Sequence, residues 1–298
     1  MNILKNIFKD KIAAASLLMI AAVVVVGILA PLFAPHDPEE VNMELRYAGS
    51  TWEYWLGNDH LGRCILSRMI YGIQPSVLWV LAALAVSVAV GAILGLVAGY
   101  FRGKVDAFIM RICDMMLSFP EYVMTLALIG VFGVGLTNIL IAFIFMKWAW
   151  FARVIRTSVM QYAEQDYVKF ARAVGTPYWT IICRHIVPVT LSDIAVISSS
   201  AMGSMVLQIT GFSFLGLGVQ APTAEWGMML NEAREVMFSR PELMLAPGLA
   251  IIVVVSAFQF LSDALQVALD PKLFTSRPKL RGEFTAPQMT LQEKEVAR

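Results

Sequence analysis

Residues 12–33 form an apolar run without a single charged side chain, preceded by Lys5, Lys9 and Lys11. At a rise of about 1.5 Å per residue, roughly 20 such residues cross the hydrocarbon of a bilayer as a helix. A signal peptide is the rival reading, but its apolar core is only about 7–15 residues long and is followed by a cleavage site between small residues. The run is therefore read as a retained membrane helix. Further runs follow at 75–101, 107–132, 137–151, 188–219 and 245–269. The expected fold class is an all-α integral membrane protein with six transmembrane helices. Composition agrees: 58% of the residues are hydrophobic and 15% charged, with a mean hydropathy of +0.68, whereas a soluble domain is about one quarter charged.

Six spans put both termini on one face. With the N-terminus inside, Lys5, Lys9, Lys11, Arg102, Lys104, Arg111, Arg153, Arg156, Lys169, Arg172, Arg184 and the basic residues of the tail are cytoplasmic. The outer segments then keep Arg46, Arg63, Arg68, Arg234 and Arg240, while acidic residues crowd the first outer loop. The positive-inside rule selects this orientation. Two spans carry special features. Arg111 and Asp114 make the start of the third amphipathic, and Pro120 is expected to bend it near the membrane surface. The fifth is longer than a perpendicular crossing requires, so it should tilt or continue past the bilayer.

A polar island, 161–184, separates the fourth and fifth runs. Gly175 suits the left-handed conformation that closes a helix. Thr176 is placed to cap a second helix, with Pro177 in its first turn. The small residues Ala171, Ala173 and Gly175 would let another protein approach the backbone, and Lys169, Arg172 and Arg184 supply charge. An ordinary cytoplasmic loop is the alternative.

The island resembles the coupling loop of ABC-importer permeases, a Glu-Ala-Ala sequence followed by a glycine and a later Leu-Pro. Ala171, Gly175 and Pro188 match in register, while Lys169 stands for the Glu, Phe170 for the first Ala and Val187 for the Leu. Four other segments resemble the C-type permeases of the peptide/nickel family. Trp55-Leu-Gly-Asn-Asp-His60-Leu-Gly-Arg63-Cys-Ile-Leu-Ser-Arg68 is similar to their "WLGTDxxGRDxxSR" element. Ala98-Gly99-Tyr100 through Asp106, Met110, Arg111 and Asp114 is similar to "AGYxGGxxD…MRxxD". Phe214 through Gly218, Pro222 and Glu225-Trp226-Gly227 are similar to "FLGLGxxxPxxEWG". Ser262, Asp263, Leu265 and Leu269-Asp270-Pro271 are similar to "GDxLRDxLDP". The stretch from Lys147 to Arg156, together with 211–227 and His60, looks most like the nickel permeases.

The resemblance implies a type I ABC-importer permease with a cytoplasmic N-terminus (1–11), a transmembrane permease domain (12–270) and a polar cytoplasmic tail (271–298). The domain would contain an external loop (34–74) and a coupling loop (159–187). The implied partners are a second homologous permease, two ATP-binding subunits, an extracytoplasmic substrate-binding protein and the lipid bilayer of a bacterial cytoplasmic membrane. The coupling contacts would fall on Lys169, Phe170, Ala171, Arg172, Gly175, Thr176, Pro177 and Pro188.

Residue chemistry fits a transport subunit rather than an enzyme. Near Gly103-Lys104, Ala98 and Val105 occupy positions where a P-loop needs glycine and a hydroxyl, so ATP hydrolysis is expected on separate subunits. Ser200, Ser204 and Gln208 recur every four residues and form one stripe. That stripe either lines a hydrated path or packs against another helix. Lys147, within the fourth run, either snorkels or marks a shifted helix boundary, or else touches a cavity or a partner. Asp193 and Asp263 are read as capping or water-contacting groups near cytoplasmic ends. His36, His60 and His185 are scattered, as are Cys64, Cys113 and Cys183, so no metal set or cofactor is expected. His60 beside Asp59 has a minor alternative as a contact for a passing ion. No basic run outside the tail points to nucleic acid. Expected cargo is nickel or a chelated transition metal, with a di- or oligopeptide as the alternative. A proton-coupled carrier would need intramembrane carboxylates and often an internal repeat. An intramembrane enzyme would need clustered catalytic groups.

Overall fold

The computed structural model describes residues 10–269. The expected N-terminus through residue 9, the Asp270-Pro271 pair and the tail at 271–298 lie outside the described residues. Asp10 opens the first helix, α1 (Lys11–Ile28), by accepting from the Ile12 N–H at 2.9 Å. Four further helices are long and apolar enough to cross a membrane: α2 (Ile65–Phe101), α5 (Leu136–Ala163), α7 (Tyr178–Phe214) and α9 (Glu242–Leu269). Between α2 and α5, α3 (Gly103–Leu117) and α4 (Glu121–Phe132) meet at 81° and complete six spans when counted as one. The break falls at Ser118–Pro120, since Pro120 is the N-cap of α4 and proline cannot continue the preceding ladder. Among the short helices outside the spans are α6 (Asp166–Ala173) and α8 (Trp226–Arg234).

Several spans exceed the apolar runs that signal them. The fourth runs to Ala163 instead of ending near 151. Hydropathy fades at Arg153 and Arg156, but both are neutralised by α3: Arg156 binds Asp106 and Arg153 binds Asp114. Arg102 adds an ion pair with Glu164 at 2.9 Å. The fifth does not begin at Pro188. It starts at Tyr178 and passes through a π-helical turn, Ile182–Ile186, just before the proline. A second π-turn, Gln74–Leu78, contains Pro75 in α2. Such turns widen the helix and accommodate a residue that breaks the regular ladder.

The tightest helix pair is α2 with α5, and its cause is a glycine at every fourth position. A Cβ at Gly91 would lie 2.9 Å from the Trp148 carbonyl oxygen, one at Gly95 2.7 Å from that of Ala152, and one at Gly99 2.9 Å from that of Arg156. In a bilayer, small residues at this spacing allow backbones to touch and replace the hydrophobic drive that lipid removes. Hydropathy does not single out this Gly91/Gly95/Gly99 repeat, because it lies inside a continuous apolar run. Gly95→Val should force the helices apart and cost about 1–3 kcal/mol, as overpacking does. A lower thermal midpoint of the purified protein, with Gly130→Val as a control because a Cβ there meets nothing within 4 Å, checks this. Met202 and Met205 are buried in the same core, where Phe143 packs on Phe212 at 5.9 Å.

Candidate functional site

The polar island folds into two helices with a sharp turn between them. Gly175 takes φ +79°, its N–H donates to the Arg172 carbonyl, and the Thr176 N–H donates to the Ala171 carbonyl, both at 3.0 Å. These paired bonds are the glycine-dependent helix stop known as the Schellman motif. The second helix starts one residue later than expected. Pro177 is its N-cap with no side-chain capping bond, so Thr176 does not cap it and Pro177 precedes its first turn. The reason is local: Thr176 is held by its own N–H in the preceding helix stop.

The exposed side of the island is apolar. Phe170, Val174, Tyr178 and Trp179 are 69%, 61%, 48% and 61% exposed. Ala173, Gly175 and Pro177 are also exposed, whereas Ala171 is turned into the bundle core. Ala171 therefore packs inward and is not one of the small residues a partner could approach. Arg172 lies over the Tyr100 ring at 4.9 Å, and Tyr178 meets Phe101 edge-on at 5.7 Å, which ties the turn to the end of α2. Lys169 is exposed beside Asp166 at 3.7 Å, a pair of little energetic weight. Pro188 is exposed just after the π-turn.

Deeper in the bundle, a cavity of 670 Å³ opens between α4, α5, α7 and α9. Ser200 and Ser204 line it, while Gln208 is half-buried and outside the lining. Opposite them, α9 contributes Gln259, Ser262, Asp263 and Gln266. Asp263 is exposed there and accepts from the Gln259 amide at 3.1 Å, so of its two expected roles it has the water-contacting one, in the cavity, and not that of a cap. Asp193 is no cap either; it accepts from the Tyr162 hydroxyl at 3.1 Å. Lys147 also reaches the cavity, where its ammonium lies 2.7 Å from the Glu121 carboxylate. Glu121 is not among the residues expected from the sequence; the one signal for it is an acidic residue next to a helix-starting proline.

At the outer end, the loop charges are not free. Asp59, Arg63 and Arg68 are buried and form a closed network with Glu232 of α8. Arg63 bridges Asp59 at 2.7 Å and Glu232 at 3.0 Å; Arg68 binds Asp59 and lies 2.8 Å from Glu232. Burial alone would raise the Asp59 carboxyl. Arg68, Arg63 and the N–H groups of Leu61 and Arg63 outweigh it and hold the group below the usual carboxylate range. Asp59, His60 and Glu232 come together closely enough to suit a metal, but the guanidinium groups already satisfy both carboxylates. Nearby, Glu225 caps α8 by accepting from the Met228 N–H at 2.8 Å and from the Ser76 hydroxyl at 3.1 Å. Two motifs far apart in sequence thus fasten the outer loops to each other.

Residues 91–275 match the family described as binding-protein-dependent transport system inner membrane component, and residues 2–49 match the N-terminal transmembrane domain of oligopeptide transport permease C. The chain belongs to this permease family. The permease is 59% identical over 281 residues to the metal-staphylopine import system permease protein of Staphylococcus aureus (strain NCTC 8325 / PS 47), with 94% of this chain and 97% of that one covered. It is 36% identical over 260 residues to the nickel transport system permease protein of Escherichia coli (strain K12), covering 87% and 94%. A dipeptide transport system permease protein of Alkalihalophilus pseudofirmus is 36% identical over 269 residues, covering 90% and 88%. The permease is a multi-pass transport subunit of an ABC importer in the plasma membrane, not an enzyme. ATP-binding subunits, a substrate-binding protein and a second permease belong to such an importer.

Proposed function

We propose that this permease carries a transition metal, nickel foremost, enclosed in a small organic chelator. The carrying observation is the cavity. Its 670 Å³ lies within the size of small-molecule sites, about 300–1,000 Å³, and far exceeds a bare ion. The polar groups set in its largely apolar lining, hydroxyls, amides, two carboxylates and one amine, suit an organic shell around the metal. The names of the metal-staphylopine and nickel relatives favour a chelate; that of the dipeptide relative supplies the alternative.

Transport proceeds by alternating access, with both ends of the chain in the cytoplasm. ATP-binding subunits dock on the apolar face around the bend, on Phe170, Arg172, Gly175, Thr176 and Pro177, with Lys169 at its edge and Pro188 behind it. Their closure drives the cycle only through different contacts with inward and outward forms. The binding protein docks outside on loops 34–74 and 220–244, where Trp52 and Phe238 are 96% and 94% exposed. The path for cargo runs past Ser200 and Ser204 and on toward Gln208.

The test is uptake into liposomes holding the complete complex, with nickel–staphylopine, nickel chloride and glycylglycine as competing cargoes. ATP-dependent uptake of the chelate, undiminished by the dipeptide, is the expected result. Uptake of the dipeptide alone would overturn the cargo assignment.

A further inference from the structure

Lys147 is the one cation among the described residues that line the cavity; the other charged groups there are Glu121 and Asp263. Its position is eleven residues into α5, about 16 Å from the outer end of that helix and near the middle of a bilayer about 30 Å thick. An ionised amine at that depth is costly and marks a path for charged or polar cargo. Glu121 keeps it paired, with the ammonium 2.7 Å from one oxygen and donating to the other at 3.0 Å. Exposure is unequal. The Lys147 side chain is 14% exposed and that of Glu121 34%, so the carboxylate is the more accessible member. Glu121 is also the first residue of α4, immediately past the 81° break.

We propose that Lys147 binds a carboxylate of the cargo, and that Glu121 occupies the same amine while the cavity is empty. Exchanging one carboxylate for another keeps the ammonium, the more buried of the two groups, paired throughout, and the released Glu121 is the one with access to the cavity's open space. The arrangement also discriminates. A carboxylate-bearing chelator can take the place of Glu121 on the amine, and a bare metal ion, which has no carboxylate, cannot. Asp263 and the Gln259 amide, across the cavity, offer acceptors and donors for the chelator's amines and remaining oxygens. This assignment rests on the proposed cargo path through the cavity, and it holds for any cargo with a free carboxylate, chelate or peptide.

The competing explanation is a tether that simply joins α4 to α5. The two differ in symmetry. A tether fails equally when either partner is removed, because each removal strands the other charge. A cargo site fails when the amine is lost, not when its place-holder is. The experiment measures kcat/KM for uptake by the complete reconstituted complex, per assembled complex, with nickel–staphylopine as the probe. Lys147→Gln should lower it about tenfold, the loss of one charge-assisted hydrogen bond. Lys147→Arg should restore most of the loss, because a guanidinium still pairs with a carboxylate. Glu121→Gln, which leaves the amine in place, should lower it less than Lys147→Gln does. Equal falls for Lys147→Gln and Glu121→Gln, or no fall for Lys147→Gln, overturn the proposal. A wild-type complex that carries glycylglycine but not the chelate overturns the cargo reading instead. The same variants measured with the dipeptide then decide the role of Lys147.

Discussion

Uptake by the complex should fall to background when Gly175 is replaced by proline, while the membrane bundle still assembles. The proline ring fixes φ near −65°, whereas this residue sits at +79°. The substitution also deletes the N–H that donates to the Arg172 carbonyl, and it disfavours the near-helical backbone of Val174, which has φ −84° and ψ 6°. Both bonds that stop α6 are lost together, so the turn presenting Phe170, Val174 and Trp179 changes shape. Gly175→Ala should be much milder, at about 1–2 kcal/mol for a left-handed non-glycine residue. No clash adds to that cost, since a Cβ there has nothing within 4 Å. Cargo-stimulated ATP hydrolysis alongside uptake is the measurement. Wild-type uptake by an assembled Gly175→Pro complex would remove the bend from the coupling path.

The largest loss of stability is expected from Asp59→Ala. It leaves Arg63 and Arg68, both buried, to share Glu232 alone. Removing one partner of a buried ion pair costs about 3–5 kcal/mol. The outer loop 34–74 should then come away from α8 and become open to protease, with a clear drop in the thermal midpoint. A change under about 1 kcal/mol, the size of a surface pair, would show that the network is not closed in solution. The pH dependence has a definite sign. Because folding lowers the Asp59 pKa, its contribution is fully present above the unfolded value of about 3.9. It disappears as the pH falls through the still lower folded value. The stability gap between wild type and Asp59→Ala should therefore be flat from neutral pH to about pH 5 and close only below about pH 4.

What the sequence reveals here depends on whether the cause is local. The stop at Gly175 and the break at Pro120 are legible because backbone conformation alone decides them. The six spans are legible because hydropathy is a property of short windows. The ends of α5 and α7 are not. Arg153 and Arg156 look like the edge of a membrane until Asp114 and Asp106 are brought beside them, and Pro188 looks like a helix start until a π-turn precedes it. The same limit applies to the sites. The helical stripe predicts that Ser200 and Ser204 share a face, but only packing brings Lys147 of α5 to Glu121 of α4, or Arg63 to Glu232 at 169 residues' separation. The direction of Ala171 was equally hidden, since a small residue on a short helix suits either side.

The unbroken passage from the island into the fifth span gives that helix a mechanical character. From Tyr178 to Ser200 there are 22 helical steps, or about 33 Å at 1.5 Å each. A tilt imposed at Tyr178 is therefore delivered as a sideways displacement of the serine wall, in the manner of a lever, with no loop in between to absorb it. The π-turn at Ile182–Ile186, with Pro188 and its missing N–H just beyond, is where the hydrogen-bond ladder of this arm is already loosened. With the ATP-binding subunits docked as proposed on the island, the turn's compliance would set how much of a rotation made there arrives at the cavity, so stiffening or softening those five residues should tune the gearing of the pump without touching either end.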